Sequence, residues 1–111
     1  MPDAAEEPIT AFAERLTTKD RRDEYGHPYE DFAKIAALWT VLLNVAVTRE
    51  QVALCMISLK MARLCHNPLH RDSMIDIAGY ANCLDLIRQR VLVLKSKTEE
   101  TADVLPHYTP R

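Results

Sequence analysis

Apolar residues recur along the chain at spacings of three and four, the pattern of helices that each bury one side. The sequence has only two glycines and few aromatic residues, so little in it favours strands joined by tight turns. We therefore predict an all-α, four-helix, bundle-like fold. The predicted helices run from about residue 8 to 18, from 28–31 to 45, from 48 to 65 or 66, and from 72 or 73 to 95.

Local signals place the ends of the last two helices. Thr48 and Gln51 are spaced as a capping box, which opens the third helix, and Pro68 breaks the chain after it. Asp72 or Ser73 has a side chain suited to capping the fourth helix. A short connection therefore joins two long helices.

The second helix is apolar on nearly all sides from Ile35 onward, so it must be covered on more than one side. Four helices in one chain have too little surface to cover it, and we predict a homo-oligomer, either a dimer or a tetramer. One domain is predicted over residues 1–95. Residues 96–111 are predicted to form an extended or flexible tail, because they contain two prolines and no sustained apolar pattern.

Charge and hydropathy narrow the classes of function. The net charge is -2, so the chain lacks the basic field that binds nucleic-acid polymers. The N-terminus lacks the regions of a signal peptide, and no apolar run reaches the length of a membrane span. We expect a soluble, cytoplasmic protein that does not bind membranes.

Three cysteines, Cys55, Cys65 and Cys83, are an odd number and lack the spacing of zinc ligands. We predict that they are reduced and that most of them are buried packing residues.

Charged residues of the third and fourth helices are predicted to meet. On a helical wheel, Asp72 and Asp76 share one arc with Tyr80 at its edge, away from the wettest side of the fourth helix. Lys60 lies on the bulky apolar face of the third helix, with Arg63 on its flank. An antiparallel hairpin would bring the two bases close to the two aspartates.

This cluster has two interpretations. In the first, it is a structural ion-pair network that fixes the register of the two helices. In the second, it is a site: Asp72 and Asp76 bind Mg²⁺, while Lys60 and Arg63 contact phosphate oxygens and Tyr80 contacts the rest of a ligand. The spacing of the residues leaves both open.

The charged segment before the second helix carries Arg21, Arg22, Tyr25 and His27 around Gly26. Arginines suit phosphates and aromatic rings stack on bases, so these four side chains are candidate contacts for a nucleotide. The alternative is a solvated charged turn whose Tyr25 packs on the core.

Three motifs together resemble a family of small phage and prophage proteins of unknown function. They are Tyr25-Gly26-x-Pro28, Lys60-x-x-Arg63 and Asp72-Ser73-x-x-Asp76-x-x-Gly79-Tyr80, within a likeness over about residues 12–88. More distantly, the chain resembles the MazG-like all-α nucleotide pyrophosphohydrolases. A phage protein of this kind is expected in the cytoplasm of the host cell.

The distant resemblance implies a MazG-like helical core that is dimeric or tetrameric. Such enzymes hold Mg²⁺ on carboxylates of two adjacent helices and cleave nucleoside triphosphates between the α- and β-phosphates. By this comparison Asp76 matches the last carboxylate of their Glu-x-x-Asp motif, and Ser73 stands in place of its glutamate. Lys60 and Arg63 stand where further acids are expected, and each base neutralises a carboxylate that would bind metal.

Three functions follow as hypotheses. The first is a Mg²⁺-dependent nucleotide pyrophosphohydrolase. The second is a protein that binds a nucleotide, a nucleotide signal or another phosphorylated small molecule without chemistry. The third is an oligomeric helical adaptor whose charged cluster is structural. The resemblance favours a nucleotide-handling role.

Overall fold

Four helices make up the part of the chain that the structure describes. The computed structural model describes residues 7–16 and 25–104, with side chains described as far as residue 99. The helices are α1 (Ile9–Arg15), α2 (Pro28–Leu43), α3 (Arg49–His66) and α4 (Arg71–Val104). These residues contain no strand, which confirms the all-α class, and no helix among them is long and apolar enough to cross a membrane.

Helices α2 and α3 begin at side chains that accept hydrogen bonds from backbone N–H groups. Before α2, Nδ1 of His27 accepts from the backbone N–H of Tyr29 at 3.0 Å, and Pro28 takes the first helical position. Before α3, Thr48 and Gln51 form the predicted capping box. Both helices therefore start where the local pattern predicts.

Helix α4 is longer than predicted. It continues to Val104, whereas the apolar pattern ends near Lys95 and predicts an extended or flexible tail after it. For residues 96–104 this prediction is wrong, because the segment has no proline or glycine and extends a helix that is already nucleated. Residues 105–111 of the predicted tail lie outside the described residues.

Helix α4 is the central element, because it contacts each of the other three helices. Helix α1 lies against it and buries Ala13. The main core joins α2, α3 and α4 through buried Phe32, Ala36, Val52, Ala53, Cys83 and Ile87. Most of these side chains are small or of middle size, and several large apolar side chains remain exposed.

The cysteines do not share one environment. Cys83 is buried in the core, whereas Cys55 and Cys65 are exposed on α3, so the prediction of mostly buried cysteines is wrong for these two. The cause is the rotation of α3, which turns Val52 and Ala53 into the core and the side with the two cysteines outward.

Contacts around Tyr29 tie α2 to α3 and α4. Nη1 of Arg90 donates a hydrogen bond to a carboxylate oxygen of Glu30 at 2.8 Å. The guanidinium of Arg49 lies 3.7 Å from the centroid of the Tyr29 ring, and that of Arg90 lies 5.5 Å from it. The start of α2 is thus held by two arginines from two other helices.

Glu30 is expected to titrate at lower pH than an ordinary glutamate. The hydrogen bond from Arg90, together with its charge, lowers the pKa of Glu30 from the ordinary value of 4.5. Because the folded pKa lies below the unfolded one, the stabilisation is present above pH 4.5 and is lost as the pH falls through the folded pKa.

An NMR titration of the Glu30 carboxyl carbon should therefore give a midpoint below 4.5, and Arg90→Met should move it back toward 4.5. Arg88→Met is the control, because Arg88 pairs with Asp85 and not with Glu30. An unchanged Glu30 midpoint in Arg90→Met would contradict the assignment.

Candidate functional site

A small cleft between α1 and the first half of α4 brings together two of the predicted site residues, Asp76 and Tyr80. The cleft is lined by Ala13, Leu16, Ile75, Asp76, Gly79, Tyr80 and Cys83. Its volume of about 20 Å³ is enough for one water molecule. This cleft is the candidate site, because an ionisable side chain and an aromatic one border the same space.

Helical geometry places the α4 residues of the cleft. Positions 76, 79, 80 and 83 recur at spacings of three and four, so their side chains emerge on one side of the helix. The predicted arc is confirmed for Asp76 and Tyr80. Asp72, one turn earlier, is exposed and does not line the cleft.

Lys60 and Asp76 form an ion pair beside the cleft. Nζ of Lys60 lies 3.0 Å from Oδ2 of Asp76, and the two side chains are 15% and 41% exposed. A lysine ammonium on an apolar helix face needs such a partner, because burying the charge without an opposite charge nearby is energetically unfavourable. The predicted approach of Lys60 to Asp76 across the helix hairpin is confirmed.

The predicted cluster of four charges is reduced to this one pair. Within the described residues no ion pair or hydrogen bond joins Arg63 to Asp72, and both side chains are exposed. Arg63 lines a separate groove with His66 and His70, near the connection between α3 and α4. Its position on the flank of α3 directs it toward this connection, so the described residues do not form the predicted compact cluster of two bases and two aspartates.

Ser73, which the sequence places as a possible cap of the last helix and in the position of the MazG-like glutamate, is buried. Its side chain is 1% exposed, and its Oγ lies 2.7 Å from Nδ1 of His70. Since α4 begins at Arg71, Ser73 lies inside the first turn and is not the cap. The burial of Ser73 could have been predicted from the sequence, because Ser73 lies on the same side of the helical wheel as Tyr80 and Ile87.

Four of the other predicted contacts precede α2 in the sequence, and the fifth, Tyr80, lies in α4. Arg21 and Arg22 lie outside the described residues. Tyr25 is half-exposed, which argues against the alternative that it packs in the core. His27 uses Nδ1 to cap α2. Tyr80 borders the cleft and also packs against the core, so part of its ring is already occupied.

The carboxylates near the cleft do not form a complete magnesium site. Asp76 is already neutralised by Lys60, and Asp72 lies one turn away on the exposed surface. Among the described residues, no three or more His, Cys, Asp or Glu side chains are grouped so that they could hold a metal ion. A Mg²⁺ ion at this cleft would therefore need most of its ligands from water or from a bound phosphate.

Residues 9–88 match a domain of unknown function, DUF6378, and this span contains the whole cleft and the ion pair beside it. The chain belongs to the DUF6378 family. The predicted resemblance to a family of small phage proteins of unknown function is thereby confirmed.

Two phage proteins are similar to this DUF6378 chain. The Gene 55 protein of Mycobacterium phage D29 is 42% identical over 81 residues, which cover 73% of this chain and 54% of the relative. The Gene 55 protein of Mycobacterium phage L5 is 41% identical over 78 residues, which cover 69% of this chain and 50% of the relative. The chain thus spans about half the length of these relatives. No solved structure matches it.

Proposed function

We propose that this DUF6378 protein binds a nucleotide, or a related phosphorylated small molecule, at the mouth of the cleft between α1 and α4, without catalysing a reaction. Lys60 contacts a phosphate oxygen, Asp76 orients Lys60, and the accessible part of Tyr80 contacts the base or sugar. A MazG-like helical core belongs to the same proposal. Further proposed contacts are Arg21, Arg22, Tyr25, His27 and Arg63.

The ion pair between Lys60 and Asp76 is the observation that carries this proposal. An ammonium has three N–H donors, and within the described residues Asp76 is the one polar partner of Lys60. Donors of Lys60 therefore remain for phosphate oxygens. Because Asp76 is half-exposed, the pair lies within reach of a ligand and is not sealed in the core.

The size of the cleft limits how a ligand is held. Sites that enclose small molecules have volumes of roughly 300–1000 Å³, whereas this cleft has about 20 Å³. Only a water molecule or one phosphate oxygen can enter it, so the rest of the ligand lies over the mouth. Leu16 lines the cleft and immediately precedes the segment that carries Arg21 and Arg22, which is why both arginines stay in the proposal.

Two other functions are less well supported. A pyrophosphohydrolase needs more carboxylates around Mg²⁺ than the described residues group together. An oligomeric adaptor, in which the ion pair is structural, is favoured by the fact that Lys60 and Asp76 neutralise each other. An adaptor of this kind would not bind nucleotides, so a binding measurement distinguishes it from the proposed function.

Thermal melting with a panel of nucleotides tests the proposal. Nucleoside di- and triphosphates should raise the melting temperature with or without Mg²⁺, because the proposed phosphate contacts are basic side chains. A ligand at 100 times its Kd adds about 2.7 kcal/mol of stability, or roughly 10 to 20 °C for a domain of this size. Parallel samples with inorganic phosphate and with free nucleosides show which part of the ligand is recognised.

The other outcomes of this melting experiment favour one of the two other functions. A rise that requires Mg²⁺, together with release of pyrophosphate, would support the hydrolase instead. The absence of any rise at millimolar concentrations of all common nucleotides would contradict nucleotide binding and favour the adaptor.

A further inference from the structure

One partly buried cation in the described part of the chain has no anionic partner there. Arg49, the first residue of α3, packs on the ring of Tyr29, and its guanidinium carbon lies 3.7 Å from the ring centroid. Its Nε is buried and has no hydrogen-bond partner, and no ion pair or other hydrogen bond joins Arg49 to the described residues. A buried donor without an acceptor is rare in folded proteins and requires an explanation.

Each of the other partly buried basic side chains among the described residues has a polar partner. These pairs are Lys60 with Asp76, Arg90 with Glu30, Arg71 with Glu7, His27 with Tyr29 and His70 with Ser73. Taking a cation out of water without such a partner is unfavourable. Arg49 is therefore the exception in this part of the chain, and its unused donors indicate an acceptor that a ligand supplies.

The outer end of the Arg49 guanidinium is accessible to solvent. Of its three nitrogens only Nε is both buried and without a partner, so the two Nη atoms, which also lack partners among the described residues, are exposed. Two Nη atoms side by side can donate hydrogen bonds to two oxygens of one oxyanion. The Tyr29 ring holds the guanidinium in place, so less side-chain freedom is lost when a ligand binds. Arg49 is thus oriented for end-on contact with an oxyanion.

A second guanidinium lies against the same ring. The guanidinium carbon of Arg90 is 5.5 Å from the centroid of Tyr29, and one of its Nη atoms donates to Glu30 while other N–H donors remain. We call Tyr29, Glu30, Arg49 and Arg90 the Tyr29 cluster. Glu30 neutralises one of the two arginines, so the cluster keeps one positive charge, and the positive end of the α3 dipole adds to it. The nearby acid Glu50 lines a separate groove that includes none of the cluster.

The chemistry of the Tyr29 cluster favours a phosphate group over a carboxylate. A phosphate monoester carries a charge of about −1.5 to −2 at pH 7 and has three strong acceptor oxygens, so it can accept hydrogen bonds from both arginines at once. A carboxylate has a single charge and two oxygens, which the fork of one guanidinium already satisfies. An arginine stacked on an aromatic ring is also well suited to phosphate recognition.

The Tyr29 cluster is separate from the cleft between α1 and α4. Arg90 follows Asp76 by 14 residues on α4, which is about 21 Å along the helix axis. One phosphate group therefore cannot contact both Arg90 and the ion pair beside the cleft.

We propose that the Tyr29 cluster is a second anion site, which binds inorganic phosphate or the phosphate group of a small monoester. Two phosphate oxygens accept hydrogen bonds from the Nη atoms of Arg49, and a third accepts from the remaining donors of Arg90. The bound phosphate supplies the negative charge that Arg49 lacks among the described residues. The inference does not depend on the proposed nucleotide binding at the cleft.

An NMR titration with inorganic phosphate tests this site. The Nε–H signal of Arg49 and the ring signals of Tyr29 should shift and reach saturation, with ionic strength held constant by sodium chloride so that general screening does not change. Arg49→Met, in which the methionine packs on the ring in place of the guanidinium, should weaken binding at least about tenfold, as judged from the Tyr29 signals. Arg88→Met is the matched control, because it removes one positive charge from α4 at a residue that pairs with Asp85 and does not contact Tyr29.

A second variant separates charge from geometry. Arg49→Lys keeps the positive charge but lacks the planar fork, so it should bind phosphate more weakly than the wild type and more tightly than Arg49→Met. The shifts at Tyr29 should persist in Lys60→Met, which removes the proposed phosphate contact of the cleft. Failure of this site and failure of the proposed nucleotide binding are therefore distinguishable. Far-UV circular dichroism should show folded protein for all variants.

Parallel titrations identify the source of the phosphate. Equal affinity for inorganic phosphate, a sugar phosphate and a nucleoside monophosphate would support recognition of the phosphate group alone, and tighter binding of one monoester would support that monoester as the ligand. The proposal would be overturned if the Arg49 signal failed to saturate at tens of millimolar phosphate, or if Arg49→Met bound phosphate as tightly as Arg88→Met. Equally strong shifts with acetate would overturn the assignment to phosphate.

Discussion

Replacing Ser73 with glutamate is expected to lower the free energy of unfolding by at least about 3 kcal/mol. Ser73 is 1% exposed, and its hydroxyl is already paired with His70 at 2.7 Å. The surroundings accommodate a small polar group, whereas a longer carboxylate would have to displace core side chains or lose its water without a matched cation. Urea denaturation followed by circular dichroism measures the change.

Two milder variants distinguish the effect of a larger, charged side chain at position 73 from the effect of losing one hydrogen bond. Ser73→Ala removes only the contact with His70 and should lower stability by about 1 kcal/mol. Asp72→Glu adds a methylene group at the exposed neighbouring position and should change stability by less than about 0.5 kcal/mol. If Ser73→Glu were as stable as Asp72→Glu, the assignment of Ser73 as a buried residue would be wrong.

The buried position of Ser73 bears directly on function. The resemblance to MazG-like enzymes places a metal-binding glutamate there, but in this DUF6378 chain the position faces the core and not the cleft. The serine is therefore part of a different packing arrangement, and Asp76 has a lysine beside it where a second acid is expected. Both features favour binding without a metal over hydrolysis.

Helical period and one short connection were sufficient to predict the central pair of the candidate site. Asp76 and Tyr80 share a side of α4 because residues four apart lie one turn above each other. Lys60 meets Asp76 because a short connection makes α3 and α4 antiparallel neighbours. Such geometry depends only on spacing along the chain, so it can be read from one sequence.

Features that depend on the rotation of a helix about its own axis were not predicted. Arg63 is on the flank of α3, and a modest rotation decides whether it faces α4 or the connection. The same rotation exposes Cys55 and Cys65, which composition alone would bury. The spacing of apolar residues also could not predict where α4 ends. Its last turns extend a helix that has already formed, so they stay helical although they have no apolar side to bury.

The Lys60→Met variant is expected to retain wild-type stability and to lose nucleotide binding. Methionine matches the length of the lysine side chain and suits the apolar face of α3, and Asp76 is sufficiently exposed to be hydrated when its partner is gone. If Lys60 contacts a phosphate, its loss should weaken binding at least about tenfold, equivalent to 1.4 kcal/mol. Calorimetric titration with the nucleotide that gives the largest rise in melting temperature measures the affinity.

Asp76→Asn should have the opposite balance of effects. It leaves the largely buried ammonium of Lys60 without its carboxylate, so stability should fall by about 1–2 kcal/mol, less than for a fully buried pair because Asp76 is half-exposed. Binding should weaken less than in Lys60→Met, since the charge that attracts phosphate remains. Lys34→Met, which removes an exposed lysine of α2, is the control for net charge and should bind normally. If Lys60→Met bound as tightly as Lys34→Met, the ion pair would serve only to hold α3 against α4.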